Sequence, residues 1–200
     1  MFGLFRNKKK KMKTGSRIAL TQYGAFTDLV KELSSAKKPV YIFYFFEESR
    51  NFLKDMLSKE YLSFNEVSTE AMNSGTDVYF IKAHTFNPSL FKFNNVKTVY
   101  CLDHYPLYSV FSKLVSSLEE MTSPPELITY GGLDEPLLLA FGGEKVQELM
   151  KGMGLGESEI VEHNMIISSI ESAQKKIEEK VTLESKAHSP SEWFRLNYNH

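Results

Sequence analysis

One cysteine in 200 residues, Cys101, excludes an internal disulfide framework and any cysteine-rich zinc site, so a reducing, cytoplasmic compartment is the expectation. Long apolar runs are missing as well. None approaches the roughly 18 uninterrupted apolar residues of a membrane span, and the apolar start at 1–5 is too short for the core of a signal peptide. With only 11 Gly and 7 Pro beside 24% charged residues, the chain is neither collagen-like nor of low complexity. Acid is missing from one place in particular: residues 1–15 carry Arg6, Lys8, Lys9, Lys10, Lys11 and Lys13 and no Asp or Glu. Setting those six aside leaves 18 basic against 25 acidic residues, a net charge of −7 on the body, so nucleic acid is not an expected partner. The basic run reads as a flexible tail over 1–15. Its charges suit an anionic membrane surface, and Met1, Phe2, Leu4 and Phe5 would add a shallow apolar anchor there.

Phosphate-binding signatures are absent too. A Walker loop needs two glycines flanking four residues and then Lys and Ser or Thr, so that backbone amides and one ammonium cradle the phosphates. Gly142-Gly143-Glu144-Lys145 has no paired upstream glycine, and Gly152-Met153-Gly154-Leu155-Gly156 has the wrong spacing for a dinucleotide fingerprint. Both read as helix caps. Asp134-Glu135 has the look of an acidic metal-binding pair, but Gly131-Gly132 stand before it where an apolar strand is required, so a helix N-terminus is the reading for it.

What is there is alternation. Ile18, Leu20, Tyr23, Phe26, Leu29, Val30 and Leu33 predict a helix over 17–35, which Lys37-Lys38-Pro39 stops. The run 40–46 is continuously apolar, β-branched and aromatic, as suits a first strand buried on both faces. A helix opens at Glu47 and Glu48, a weaker strand follows at 62–67, and a short helix from Ser68 ends in the turn Asn73-Ser74-Gly75. Strands are expected at 77–83, 98–102 and 126–130, with an amphipathic helix from Pro106 to Leu118 between the last two. From Asp134 the pattern is helical, ending in a long helix from Ser158 past Val181. On it Ile166, Ile170, Ile177 and Val181 form an apolar stripe, a surface for a protein partner or for self-association. The expected fold is therefore α/β, a mostly parallel sheet of about 4–5 strands with helices on both faces and a helical C-terminal extension. It divides into a tail at 1–15, an α/β domain at 16–156, the long helix at 157–186 and a frayed tail at 187–200.

Open α/β sheets bind ligands beyond the carboxyl ends of their strands. His84, Asp103 and His104 fall there and could assemble a metal or acid/base site, the alternative reading as a small hydrolase or metal-dependent enzyme. The duller reading makes them polar caps where the chain leaves the core. Cys101, inside an apolar strand, reads as an inert core thiol. A third reading is a structural protein that reuses the fold.

The C-terminal half carries a resemblance. Gly132-Leu133-Asp134-Glu135-Pro136-Leu137 runs into Phe141-Gly142-Gly143-Glu144-Lys145-Val146, and Glu162-His163-Asn164-Met165 precedes Ala173-Gln174-Lys175-Lys176. In that order and spacing the stretch resembles SecA, the bacterial preprotein translocase motor ATPase family. The match is to the end of the second RecA-like nucleotide-binding domain, where Leu-Glu-Asp leads to Phe-Gly-Gly, and to the start of the helical scaffold, where Glu-His-Lys-Met precedes Ala-Gln-Lys-Lys. Lys38-Pro39-Val40 and Glu47-Glu48-Ser49 sit where that domain has its first strand and following helix. The resemblance implies a RecA-like half and a link to protein export. The family's arginine- and glycine-rich segment, whose arginines reach the γ-phosphate, is replaced here by Ser112-Lys113-Leu114-Val115-Ser116-Ser117-Leu118-Glu119-Glu120-Met121, without arginine. The first RecA-like domain, with the phosphate loop, has no counterpart. The expectation is a non-catalytic, SecA-like binding or regulatory module, cytoplasmic or peripheral to the inner membrane, with no catalytic residues, cofactor or metal.

Overall fold

A computed structural model describes residues 12–37, 39–67, 77–91 and 96–198. The elements run β1 (Thr14–Ala19), α1 (Gln22–Ser35), β2 (Val40–Tyr44), α2 (Glu47–Lys59), β3 (Phe64–Glu66), β4 (Val78–Lys82), β5 (Thr98–Cys101), α3 (Tyr108–Glu119), β6 (Glu126–Gly132), α4 (Pro136–Leu139), α5 (Gly143–Gly152), α6 (Asn164–Glu178) and α7 (Pro190–Asn197). The six strands make one sheet in the order β1-β6-β5-β2-β4-β3, every pair parallel. The α/β class and the parallel sheet are as expected. The strand count is larger, because β1 occupies residues read as the end of the flexible tail at 1–15 and the start of a helix.

The strand pleat sends alternate side chains to two cores. Val40, Ile42 and Tyr44 of β2 pack with α1 and α2 through Phe26, Leu29, Leu33, Leu53 and Leu57. Tyr41 and Phe43 pack on the other face with Leu114 and Leu118 of α3, Ile170, Ala173 and Ile177 of α6, and Trp193 and Phe194 of α7. A sheet covered on both sides needs apolar residues at every position, which is why 40–46 reads as an unbroken run. The polar exception is at the β1 end. There Glu32 of α1 accepts hydrogen bonds from the Tyr100 and Tyr130 hydroxyls, both at 2.7 Å, and pairs with Arg17 of β1. Burial raises the Glu32 pKa, but those hydroxyls and the Arg17 charge outweigh it and leave the carboxyl below its usual range.

The C-terminal expectations need three corrections. The long helix runs from Asn164 to Glu178, not from Ser158 past Val181: Val161 is committed to an antiparallel bridge with Ile18 of β1, and the His163 imidazole then caps the helix by accepting from the Met165 N–H at 3.1 Å. The stripe is not left over for docking: Ile170 and Ile177 are 4% and 0% exposed in this chain's own core, with Ile166 and Val181 packed half-buried against it. Nor are residues 187–198 frayed. Ser189 caps α7 through the Glu192 N–H at 3.0 Å, Pro190 sits in its first turn, and Trp193 is 0% exposed. The helix and turn read at 68–76, like Arg6, Lys8, Lys9, Lys10 and Lys11, lie outside the described residues.

Two residues of α6 separate these roles. Replacing Ile177 by Ala should destabilise the protein by about 2–5 kcal/mol in chemical unfolding, because a cavity opens in a packed core. Met165→Ala, at a side chain 72% exposed, should stay within about 0.5 kcal/mol of the parent. Equal, small effects at both positions would show that α6 does not pack on the sheet.

Candidate functional site

The chain reverses its direction of travel across the sheet between β2 and β5, whose following helices α2 and α3 leave toward opposite faces. Such a switch point opens the crevice where α/β sheets hold ligands. Here the crevice is filled by Asp103, 1% exposed. Its carboxylate accepts from Ser49 Oγ at 2.5 Å and from the Phe45 N–H at 3.4 Å, with a further bond from the Phe46 N–H. Phe46 is the N-cap residue of α2 and its own side chain caps nothing. A carboxyl from the β5–α3 connection thus holds the two amides that lead into α2 and a hydroxyl of its first turn. Burial pushes the Asp103 pKa up to about 7 against the opposing pull of those donors.

His104 points elsewhere. Its Nε2 shares a hydrogen bond of 3.1 Å with Ser16 Oγ on β1, and its Nδ1 stands 3.9 Å from Glu135 Oε2. Among the described residues that Nδ1 has no hydrogen-bond partner. Burial holds the imidazole down to about pKa 4, and pushes Glu135 up to about 8 against the Gly132 N–H that its Oε1 accepts at 3.0 Å. At neutral pH this is a serine, a neutral imidazole and a neutral carboxyl in sequence. The order is that of a hydrolase relay, but 3.9 Å is beyond hydrogen-bonding reach and leaves the imidazole without its orienting partner.

His84 is not part of either group. It lies exposed in a short turn after β4, its ring edge-on to Phe45 and Tyr105 at centroid distances of 5.3 and 4.9 Å. The three sequence candidates therefore occupy three environments and converge on no common point. Among the described residues no group of three His, Cys, Asp or Glu side chains is placed to hold a metal ion. Cys101 is fully buried, its thiol pushed far up by desolvation.

Sequence reading missed Ser16 and the role of Glu135. The one local signal was Gly131-Gly132, which belong to β6: a Cβ on Gly131 would lie 2.9 Å from His104 Nδ1 and 3.0 Å from Glu135 Oε1. The pair Asp134-Glu135 does stand at helix ends, Asp134 accepting from the Gln22 N–H of α1 at 2.7 Å and Glu135 preceding α4.

The strand ends are roofed by the chain itself. The Glu48 N–H in the first turn of α2 donates to the His188 carbonyl at 3.1 Å. Trp193 Nε1 donates to Glu184 at 2.6 Å, and the Tyr105 hydroxyl donates to the same oxygen. Tyr105 also stacks on Phe46 and meets Trp193 edge-on.

No protein-family model matches the chain. A segment is similar to the protein translocase subunit SecA of several bacteria: 50% identical over 50 residues in Christiangramia forsetii, or 25% of this chain and 4% of that protein. In Prosthecochloris aestuarii it is 46% over 57 residues, or 28% and 6%. The match thus spans about one-twentieth of the length of these relatives. Among solved structures, the Escherichia coli DEAD-box protein SrmB, bound to the regulator of ribonuclease activity A, aligns over 66% of this chain and 84% of its own with a TM-score of 0.47 at 14% identity. The C-terminal part of the Fun30 ATPase domain aligns over 76% and 52% with a TM-score of 0.42 at 13% identity.

The buried carboxyls set a pH dependence. A carboxyl whose pKa is raised on folding binds its proton more tightly in the native state, so stability is lost as pH rises through the window between the unfolded and folded values. For Glu135 that window runs from 4.5 to about 8, whereas His104, lowered from 6.5 to about 4, acts only below 6.5 and with the opposite sign. Between pH 7 and 8 the protein should therefore lose stability in urea unfolding, and Glu135→Gln should lose less over the same interval. A stability that rises from pH 7 to 8 would contradict the burial of a neutral Glu135.

Proposed function

We propose that the chain is a non-catalytic, SecA-like domain that serves protein export as a protein-binding or regulatory module. The similarity of one segment to SecA supports the link to export. The observation that carries the non-catalytic reading is the state of the strand ends. A nucleotide bound there needs helix N-terminal amides for its phosphates. At α2 the Glu48 amide is engaged by the His188 carbonyl, the Phe45 and Phe46 amides that lead into the helix are engaged by Asp103, and Tyr105, which stacks on Phe46, shares Glu184 with Trp193. The stretch from Ser112 to Met121, α3 and the turn after it, offers no arginine to stabilise a transferring phosphoryl group. The alternative enzyme built on His84, Asp103 and His104 lacks convergence of those three side chains.

On this reading the protein acts from the cytoplasmic side, and the basic run from Arg6 to Lys13 draws it to the anionic membrane surface where export takes place. Calorimetric titration with ATP and Mg²⁺ should give no heat of binding, and phosphate release should match buffer. A micromolar nucleotide site would overturn the proposal.

A further inference from the structure

Glu135 is 6% exposed, yet its carboxyl stands 3.9 Å from one nitrogen of His104, whose other nitrogen reaches Ser16. The two carboxyl oxygens are not equivalent. Oε1 accepts the Gly132 N–H at 3.0 Å, so the proton of the neutral acid belongs on Oε2, the oxygen that faces His104 Nδ1. Gly131 permits that approach, since a Cβ there would lie 2.9 Å from Nδ1 and 3.0 Å from Glu135 Oε1. Among the described residues Nδ1 has no hydrogen-bond partner. A bare nitrogen turned toward an acid proton serves as acceptor, which places the ring hydrogen on Nε2, toward Ser16 Oγ at 3.1 Å.

The far side of the ring leads outward. Ser16 and His104 both line a cavity of about 130 Å³ between β1, α3 and α6. The same cavity is lined by the exposed Thr14 and the half-buried Glu119 and Glu171, and so reaches the surface. A buried carboxyl, an imidazole, a hydroxyl and a cavity thus follow one another from the inside out.

We propose that His104 is a proton relay, which carries the Glu135 proton to Ser16 and the cavity and reverses its own tautomer in doing so. A gap of 3.9 Å is no standing hydrogen bond, and the transfer takes place when side-chain motion brings Oε2 onto Nδ1. The O–H bond of Glu135 then breaks and its proton binds Nδ1. The Nε2 proton passes to the Ser16 hydroxyl, which gives up its own hydrogen to solvent through the cavity. One proton is released, the carboxylate is left facing an Nδ1–H donor, and the imidazole is neutral before and after. Burial, which holds His104 down to about pKa 4, disfavours a lasting imidazolium. Other titratable groups face the pair: Asp103 the ring, Asp134 the carboxyl, Cys101 both Asp103 and Glu135, and Tyr108, Glu119 and Glu171 the cavity. The relay stands whether or not the chain serves export.

The test is ¹⁵N NMR of the imidazole nitrogens in the full chain at about pH 6 and about pH 9, either side of the Glu135 value of about 8. His104 should carry its hydrogen on Nε2 at the lower pH and on Nδ1 at the higher, with the ring neutral at both. Glu135→Gln leaves Asp103 in place and should keep the Nε2–H form throughout, because an amide has no acid proton to pass on. After a pH jump, the infrared carbonyl band of the neutral acid, identified by its loss in Glu135→Gln, should fade about tenfold or more slowly in Ser16→Ala than in the parent. One tautomer at both pH values in the parent, an imidazolium at the lower pH, a reversal that persists in Glu135→Gln, or an unchanged rate in Ser16→Ala would overturn the proposal.

Discussion

Every strand in this sheet runs the same way, and from that constraint the rest of the molecule follows. Parallel neighbours cannot be joined by tight hairpins, so each connection must cross back over a face and cover it. α1 and α2 cover one face, and α3, α6 and α7 the other. With both faces covered, the buried acids and imidazole gather at the strand ends, and an ion pair sits beside the outermost strand. Asp103, His104 and Glu135 lie at the first, and Arg17 with Glu32 at the second.

At the strand ends the usual relation between a helix and its ligand is turned inward. A helix N-terminus carries partial positive charge and unpaired amides, and is stabilised by any anion placed against it. The chain sets the Asp103 carboxyl of its own β5–α3 connection on the amides leading into α2, and a carbonyl from residue 188 on the Glu48 amide of its first turn. These bonds make a structural joint that links α2, the residues after β5 and the C-terminal segment.

Much of this was legible in the residues. The runs at 40–46 and 98–102 and the helix ending at Glu119 were readable because burial on two faces or one writes a distinct period into the sequence. β1 was not, because Ser16, Ile18 and Leu20 continue into Tyr23 and Phe26 at spacings a helix also satisfies, and the strand holds only two β-branched residues, Thr14 and Ile18. Ser189, Pro190 and Glu192 announced the start of α7, but two turns with one tryptophan are held by tertiary packing rather than by local pattern. The polar cluster was hidden for a different reason: Ser16 and His104 are 88 positions apart, and their meeting depends on a strand order that no local signal encodes.

The position of α7 also bears on how the protein is made. Phe46, Tyr105 and their neighbours emerge from the ribosome well before Trp193 and Phe194, the side chains that finish their packing. During synthesis the aromatic end of the sheet is therefore bare until nearly 90 further residues have followed Tyr105. Domains with late-arriving core pieces expose sticky surface in that interval. Shielding of the nascent chain, or a swap of the last helix between two unfinished copies, thus belongs to the physics of this fold.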